Sequence, residues 1–182
     1  MCKALTVLAA LAMLGLPASA GAELPVGAYA PRFAARGALG GKDFTFNLRR
    51  ALQRGPVVLY FYPKAFTKGC TMEARAFAEA SEDFAAAGAT VVGLSADDLP
   101  TLKRFSTEEC RNKFAVAIAS PQTIKGYDVA LSKPGMPSGM TARVSYVIGQ
   151  DGRIAFVHSD LDYRDHVRLT LEAVRKLKAK KR

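Results

Sequence analysis

Residues 57–70 read Val57-Val58-Leu59-Tyr60-Phe61-Tyr62-Pro63-Lys64-Ala65-Phe66-Thr67-Lys68-Gly69-Cys70, and a run rich in Ala and Glu follows at 71–87. The six apolar, aromatic and β-branched residues at 57–62 predict a strand buried on both faces. Met72, Ala76, Phe77, Ala80 and Phe84 recur at helical spacing, so 71–87 predicts a helix, with Gly88 as its stop. Cys70 therefore stands at a strand-to-helix junction, with the Thr67 hydroxyl three residues before it. A helix N-terminus presents unpaired N–H groups and the positive end of the macrodipole. Both stabilise a thiolate, the reactive form of cysteine.

Outward from this segment the elements alternate. Residues 90–94 predict a second buried strand. Asp97 or Asp98 caps the helix that follows, with Pro100 in its first turn and an end near Asn112. Leu102, Phe105 and Cys110 are among its non-polar positions. A short strand at 115–119, a short helix or turn at 121–131 and a Gly/Pro-rich loop at 132–141 come next. Strands at 144–148 and 154–158 flank Gly149-Gln150-Asp151-Gly152, a hairpin signal, and a terminal amphipathic helix runs over 163–180. On the N-terminal side, 22–35 reads as an extended lead-in. Gly40-Gly41-Lys42-Asp43 marks a hairpin within 38–48. A βαβ unit, a further αβ, an antiparallel hairpin and a helix predict an α/β fold: a mixed central sheet with helices on both sides.

The chain has 182 residues, 49% hydrophobic and 23% charged, a composition that predicts a globular domain. Its first twenty residues are a separate object. Lys3 gives a positive start, 4–16 an apolar stretch, and Ala18-Ser19-Ala20 a small-x-small site, which predicts a signal peptide over 1–20 cleaved after Ala20. The apolar stretch is shorter than the roughly 20 residues of a spanning helix. No cysteine follows it to carry a lipid, and no later segment is long and apolar enough to span a bilayer. The expected mature domain is 21–182, exported to a periplasm, without stable membrane insertion. Cleavage removes Cys2 and leaves Cys70 and Cys110, which by themselves could form a structural disulfide. It also removes Lys3, leaving 25 basic against 16 acidic residues. That surplus is scattered and accompanies no nucleic-acid motif. Its one dense cluster, 176–182, reads as the solvated end of a helix.

For an exposed helix-N-terminal thiolate, one chemistry to weigh is attack on a peroxide oxygen while the second oxygen leaves as hydroxide or alkoxide. That requires a stabilised thiolate, an aligned peroxide and donors for the leaving oxygen. Thr67 offers a hydroxyl, the backbone at Gly69 and Cys70 offers N–H groups, and Pro63 stiffens the loop and helps exclude water. A guanidinium would complete such a site. His158 and His166 are not at metal-ligand spacing with any Cys, Asp or Glu cluster. C-x-x-C, Walker and dinucleotide motifs are absent, which argues against disulfide reductases and nucleotide enzymes.

The stretch Tyr60-Phe61-Tyr62-Pro63 through Thr67-x-Gly69-Cys70-Thr71-x-Glu73 resembles the P-x-x-x-T-x-x-C signature of the peroxiredoxin family. It is most similar to the Q-type branch, the bacterioferritin comigratory proteins, and the resemblance spans nearly the whole mature chain. It implies a thioredoxin-like fold with a peroxiredoxin-type N-terminal extension, and a thiol peroxidase acting on hydrogen peroxide or organic hydroperoxides. Cys70 maps onto the peroxidatic cysteine, with Pro63 and Thr67 as its motif partners. Arg143, in Arg143-Val144-Ser145-Tyr146-Val147-Ile148, maps onto the family arginine. Many Q-type members carry a resolving cysteine five residues after the peroxidatic one; here Arg75 stands there. Cys110 then resembles the resolving cysteine of a second subgroup, closing an intramolecular disulfide that a thioredoxin-like dithiol reductant recycles. The resemblance implies no cofactor, no metal and a monomer.

Blander roles compete for each residue. Cys70 and Cys110 could be core thiols or a permanent disulfide of a non-enzymatic redox sensor or binding module, Arg143 a strand-edge arginine, and Thr67 a helix cap. Glu73 is equally a first-turn carboxylate favoured by the dipole and an orienter of the arginine.

Overall fold

Alternation along 57–62 divides the protein into two cores. Val57, Leu59 and Phe61 pack into one apolar cluster, Val58, Tyr60 and Tyr62 into the other, and all are buried. A strand with both faces covered has no polar positions, which is why the run is continuous rather than alternating. The structure is a computed structural model and describes residues 23–131, 135 and 137–179. The expected signal peptide, most of 132–136 in the Gly/Pro-rich loop and the last three basic residues lie outside the described residues.

In chain order the elements are β1 (Ala34–Leu39), β2 (Lys42–Asn47), α1 (Leu48–Leu52), β3 (Val57–Phe61), α2 (Lys68–Glu79), α3 (Ser81–Ala86) and β4 (Thr90–Ser95). Then come α4 (Leu99–Glu108), β5 (Ala115–Ile118), α5 (Pro121–Gly126), β6 (Val144–Ile148), β7 (Ile154–Ser159) and α6 (His166–Ala179), the last preceded by a 3-10 turn at Tyr163–Asp165. The sheet order is β2-β1-β5-β4-β3-β6-β7. β3 pairs parallel with β4 and antiparallel with β6, and β4 pairs parallel with β5. This is the mixed thioredoxin-like α/β sheet expected. α1 and α5 contribute to the core on one face, and α2, α3, α4 and α6 to that on the other. The β1–β2 hairpin turns at Gly40 and Gly41, with φ of 57° and 74°. Two positive φ values in a two-residue loop favour this Gly-Gly pair.

Two boundaries differ from expectation. The helix read over 71–87 begins earlier, at Lys68, so Cys70 lies inside its first turn. It also divides at Ala80, whose ψ of 3° leaves the helical region and parts α2 from α3. The next helix ends at Glu108 rather than near Asn112, so Cys110 sits past α4 and not on it. Arg111 and Asn112 take φ of 50° and 60°, and this left-handed pair turns the chain out of the helix. Asp98, not Asp97, caps α4, accepting from the Thr101 N–H at 2.9 Å.

The sheet positions the site through the carboxyl ends of β3 and β4, where loops of parallel strands emerge on one edge. Asp97, after β4, accepts from the Ala65 N–H at 2.7 Å and from the Ser95 hydroxyl at 2.8 Å. The Thr141 hydroxyl donates to the Tyr62 carbonyl at 2.6 Å. The 63–67 loop is thus lashed to two neighbours before α2 begins.

Gly93 of β4 admits the ring of Tyr60: a Cβ there would stand 2.7 Å from it. Tyr60 in turn stacks on Phe77 of α2 at 4.4 Å. Gly93→Ala is expected to destabilise the protein by about 1–3 kcal/mol through overpacking, read as a lower thermal unfolding midpoint. An unchanged midpoint would mean that the Tyr60 ring has room to move.

Candidate active site

Cys70, Glu73, Ala74 and Phe77 recur at three- and four-residue spacing and form the buried face of α2. The spacing puts the thiol and the carboxylate on one side of the helix, one turn apart. Arg143, immediately before β6, reaches them from the sheet and is itself only 5% exposed. Its Nη2 donates to Cys70 Sγ at 3.4 Å, its Nη1 to Glu73 Oε2, and its Nε to the Leu161 carbonyl at 2.9 Å. A single guanidinium, carried by the residue before β6, thus binds the helix and the chain after β7. Gly69 leaves the space it needs, since a Cβ would stand 3.0 Å from Nη2.

The electrostatics follow from burial. Burial opposes the Arg143 charge, but Glu73 and Cys70 outweigh it and hold the guanidinium above its usual value. Burial pushes the Glu73 carboxyl up to about 8, against the pull of Arg143. Glu73 is therefore the orienter of the arginine, not a solvated first-turn carboxylate. Its second oxygen, Oε1, has no hydrogen-bond partner.

Thr67 stands at the N-cap of α2, but its hydroxyl donates to the Lys64 carbonyl at 2.9 Å and makes no capping bond. The Thr67 hydroxyl thus gives its hydrogen to the loop carbonyl that competes for it. Pro63 is half-buried in that loop. Cys70 differs from expectation in being buried, 1% exposed, rather than open to solvent.

Cys110 is a buried free thiol in the same apolar cluster as Cys70. Burial pushes it well above the ordinary thiol range, and the Glu109 carboxylate adds to the rise. Its segment is tied to the neighbouring helices by ion pairs: Arg75–Glu109 at 2.6 Å, Glu79–Arg111 at 3.2 Å and Glu82–Lys113 at 3.6 Å. Arg75, in the place of the missing cysteine, thus holds the residue next to Cys110.

Sequence reasoning missed the groups behind Glu73. His166 lies against it, with Nδ1 3.7 Å from Glu73 Oε1 and 2.8 Å from the Ser145 hydroxyl. The sequence presents the histidines only as potential metal ligands. Nothing in local spacing joins residue 166 to residue 73, because the contact exists only once α6 packs on α2. Among the described residues no His, Cys, Asp or Glu group could hold a metal ion.

Comparison with known proteins gives the same reading of the chain. The AhpC/TSA family model matches residues 26–157. The chain is 32% identical over 112 residues to "Peroxiredoxin Bcp" of Escherichia coli K12, covering 60% of this chain and 72% of that protein. It is 33% identical over 128 residues to the chloroplastic peroxiredoxin Q of Sedum lineare, covering 68% of this chain and 65% of that protein. The crystal structure of peroxidoxin BcpB from Mycobacterium tuberculosis superposes with a TM-score of 0.73 at 27% identity, over 83% of this chain and 96% of that one. Peroxiredoxin Q of Xanthomonas campestris shares the fold, with a TM-score of 0.68 at 23% identity over 79% and 90% of the two chains. The chain therefore belongs to the AhpC/TSA family and, within it, to the Q-type peroxiredoxins, which are thiol peroxidases.

Proposed function

We propose that Cys70 is the peroxidatic sulfur, that Cys110 resolves it and that a thioredoxin-like dithiol recycles the pair. The observation that carries the first step is the Arg143 guanidinium donating to Cys70 Sγ within the first turn of α2. The Cys70 thiolate attacks the nearer oxygen of hydrogen peroxide or an organic hydroperoxide, and the O–O bond breaks. Cys70 becomes a sulfenic acid, and the leaving hydroxide or alkoxide takes up a proton to give water or an alcohol. Arg143 offsets the negative charge that spreads onto the peroxide oxygens, a role that a fixed planar donor fills better than an ammonium. The Cys110 thiol then condenses with the sulfenic acid, forming a disulfide and releasing water. Two electrons from an external dithiol restore both thiols. Cys70 is held in α2 and Cys110 beyond the end of α4, so the disulfide closes through opening of the 109–113 segment, the start of α2 or both. Residues 1–20 support the further reading that the enzyme is exported and works in a periplasm.

Peroxide consumption with a dithiol donor tests the assignment. Cys70→Ser is expected to abolish turnover. Cys110→Ser is expected to leave one fast oxidation per chain, with a sulfenic acid that a dimedone-type reagent traps. In the unmutated protein, mass spectrometry after one equivalent of peroxide is expected to find a Cys70–Cys110 link within one chain. No peroxide consumption above background would defeat the enzymatic reading, and wild-type turnover in Cys110→Ser would remove Cys110 from the cycle. Arg143→Lys is expected to slow Cys70 oxidation by about 100-fold, the scale of losing one charge-stabilising donor. A loss under about threefold would assign Arg143 a structural role only.

A further inference from the structure

The Arg143–Glu73 pair has a buried side that the peroxidase reading does not use. Glu73 is fully buried, one oxygen engages Arg143, and Oε1 is unpartnered. Facing Oε1 is His166, also fully buried. His166 Nε2 lies 2.9 Å from the Asp160 carbonyl, and a carbonyl only accepts, so Nε2 carries hydrogen. A neutral imidazole then turns a lone pair at Nδ1 toward Ser145 and Glu73. If Glu73 were ionised, a carboxylate oxygen and an imidazole lone pair would face each other 3.7 Å apart between two fully buried side chains. A proton on Oε1 removes that conflict, while the Ser145 hydroxyl donates to Nδ1 at 2.8 Å.

Charge gives a second, independent reason. With Cys70 as thiolate and Glu73 as carboxylate, one guanidinium would balance two buried anions. Uncompensated buried charge is costly. We propose that Glu73 is a neutral carboxylic acid while Cys70 is a thiolate, with its proton on the Oε1 that faces the His166 Nδ1 lone pair 3.7 Å away. This rests on the reading of Cys70 as the peroxidatic sulfur. Arg143 Nη1 then donates to a neutral carboxyl oxygen, which leaves its charge for the sulfur and the peroxide. His166 is a positioning residue here, acting through Glu73.

The surroundings of His166 agree. Burial pushes the imidazole down to about 4, and the other groups that face it are His158, Arg143, Asp160, Asp162 and the Ser145 hydroxyl. His158 lies edge-on at 4.5 Å between ring centres, with its Nε2 buried and unpartnered. Burial raising Glu73 while lowering His166 keeps the proton on the carboxyl. As pH rises and Glu73 loses that proton, a second negative charge appears beside the thiolate, so Cys70 oxidation slows on the alkaline side.

Infrared difference spectroscopy of the reduced full chain, without peroxide, reads the proton directly. The expected result is a carboxylic-acid C=O band at about pH 6 that disappears toward about pH 10 and is absent from Glu73→Gln. Stopped-flow rates of Cys70 oxidation against pH supply the functional readout. His166→Gln places an amide donor against Oε1, which favours the carboxylate and is expected to move the alkaline fall down by about one pH unit or more. Ser145→Ala frees Nδ1 for the Glu73 proton and is expected to move it up; it serves alone if the histidine variant does not fold. Absence of the band overturns the proposal, and so does an alkaline fall that neither variant moves. The band needs no turnover, so failure of the peroxidase reading shows as absent activity with the band intact.

Discussion

A buried guanidinium accepts few arrangements. Arg143 gives its hydrogens to a sulfur on α2, a carboxyl on α2 and a carbonyl after β7, and each of those groups is held elsewhere in the fold. Removing one partner of such a pair leaves a charge buried and uncompensated, which costs about 3–5 kcal/mol. The positions of α2, β6 and the 160–162 turn are therefore coupled through one side chain. Helix dipole and N-terminal N–H groups favour a thiolate in any protein. Here they are joined by a cation that arrives from the sheet.

The sheet makes that arrival possible. β3 and β4 run parallel and end together, so the loop after β3 and Asp97 after β4 meet at one edge. β6 pairs antiparallel with β3, and therefore its first residues lie beside the last residues of β3. Arg143, one residue before β6, is delivered to the start of α2 by strand register alone. The aromatic stack of Tyr60, Tyr62, Phe77 and Phe105 fills the space beneath and fixes the helix on the sheet.

The parts readable from the chain were those written locally. The run at 57–62 declares a two-sided strand, Gly40-Gly41 declares its hairpin, and Asp98 with Pro100 declares the start of α4. Cys70, Pro63, Thr67 and Arg143 were found because a motif carries them. The ends of helices were less legible. Ala80 is an ordinary helix former, and nothing in its chemistry announces that the axis bends there. Arg111 and Asn112 adopt left-handed backbone without a glycine to signal it, so Cys110 read as helical. The approach of His166 to Glu73 is set by tertiary contacts, which no spacing rule encodes.

The seal over both sulfurs changes what a thiol reagent would measure. Cys70 and Cys110 have almost no surface, and the Cys110 segment is fastened by three ion pairs along α2 and α3. A bulky alkylating agent reaches such a thiol only in molecules that have transiently come apart at that place. Its rate then counts openings, with the intrinsic nucleophilicity of the sulfur entering afterwards. Because exposed ion pairs weaken as salt screens them, labelling of Cys110 becomes a gauge of how firmly charge alone keeps that corner of the molecule shut.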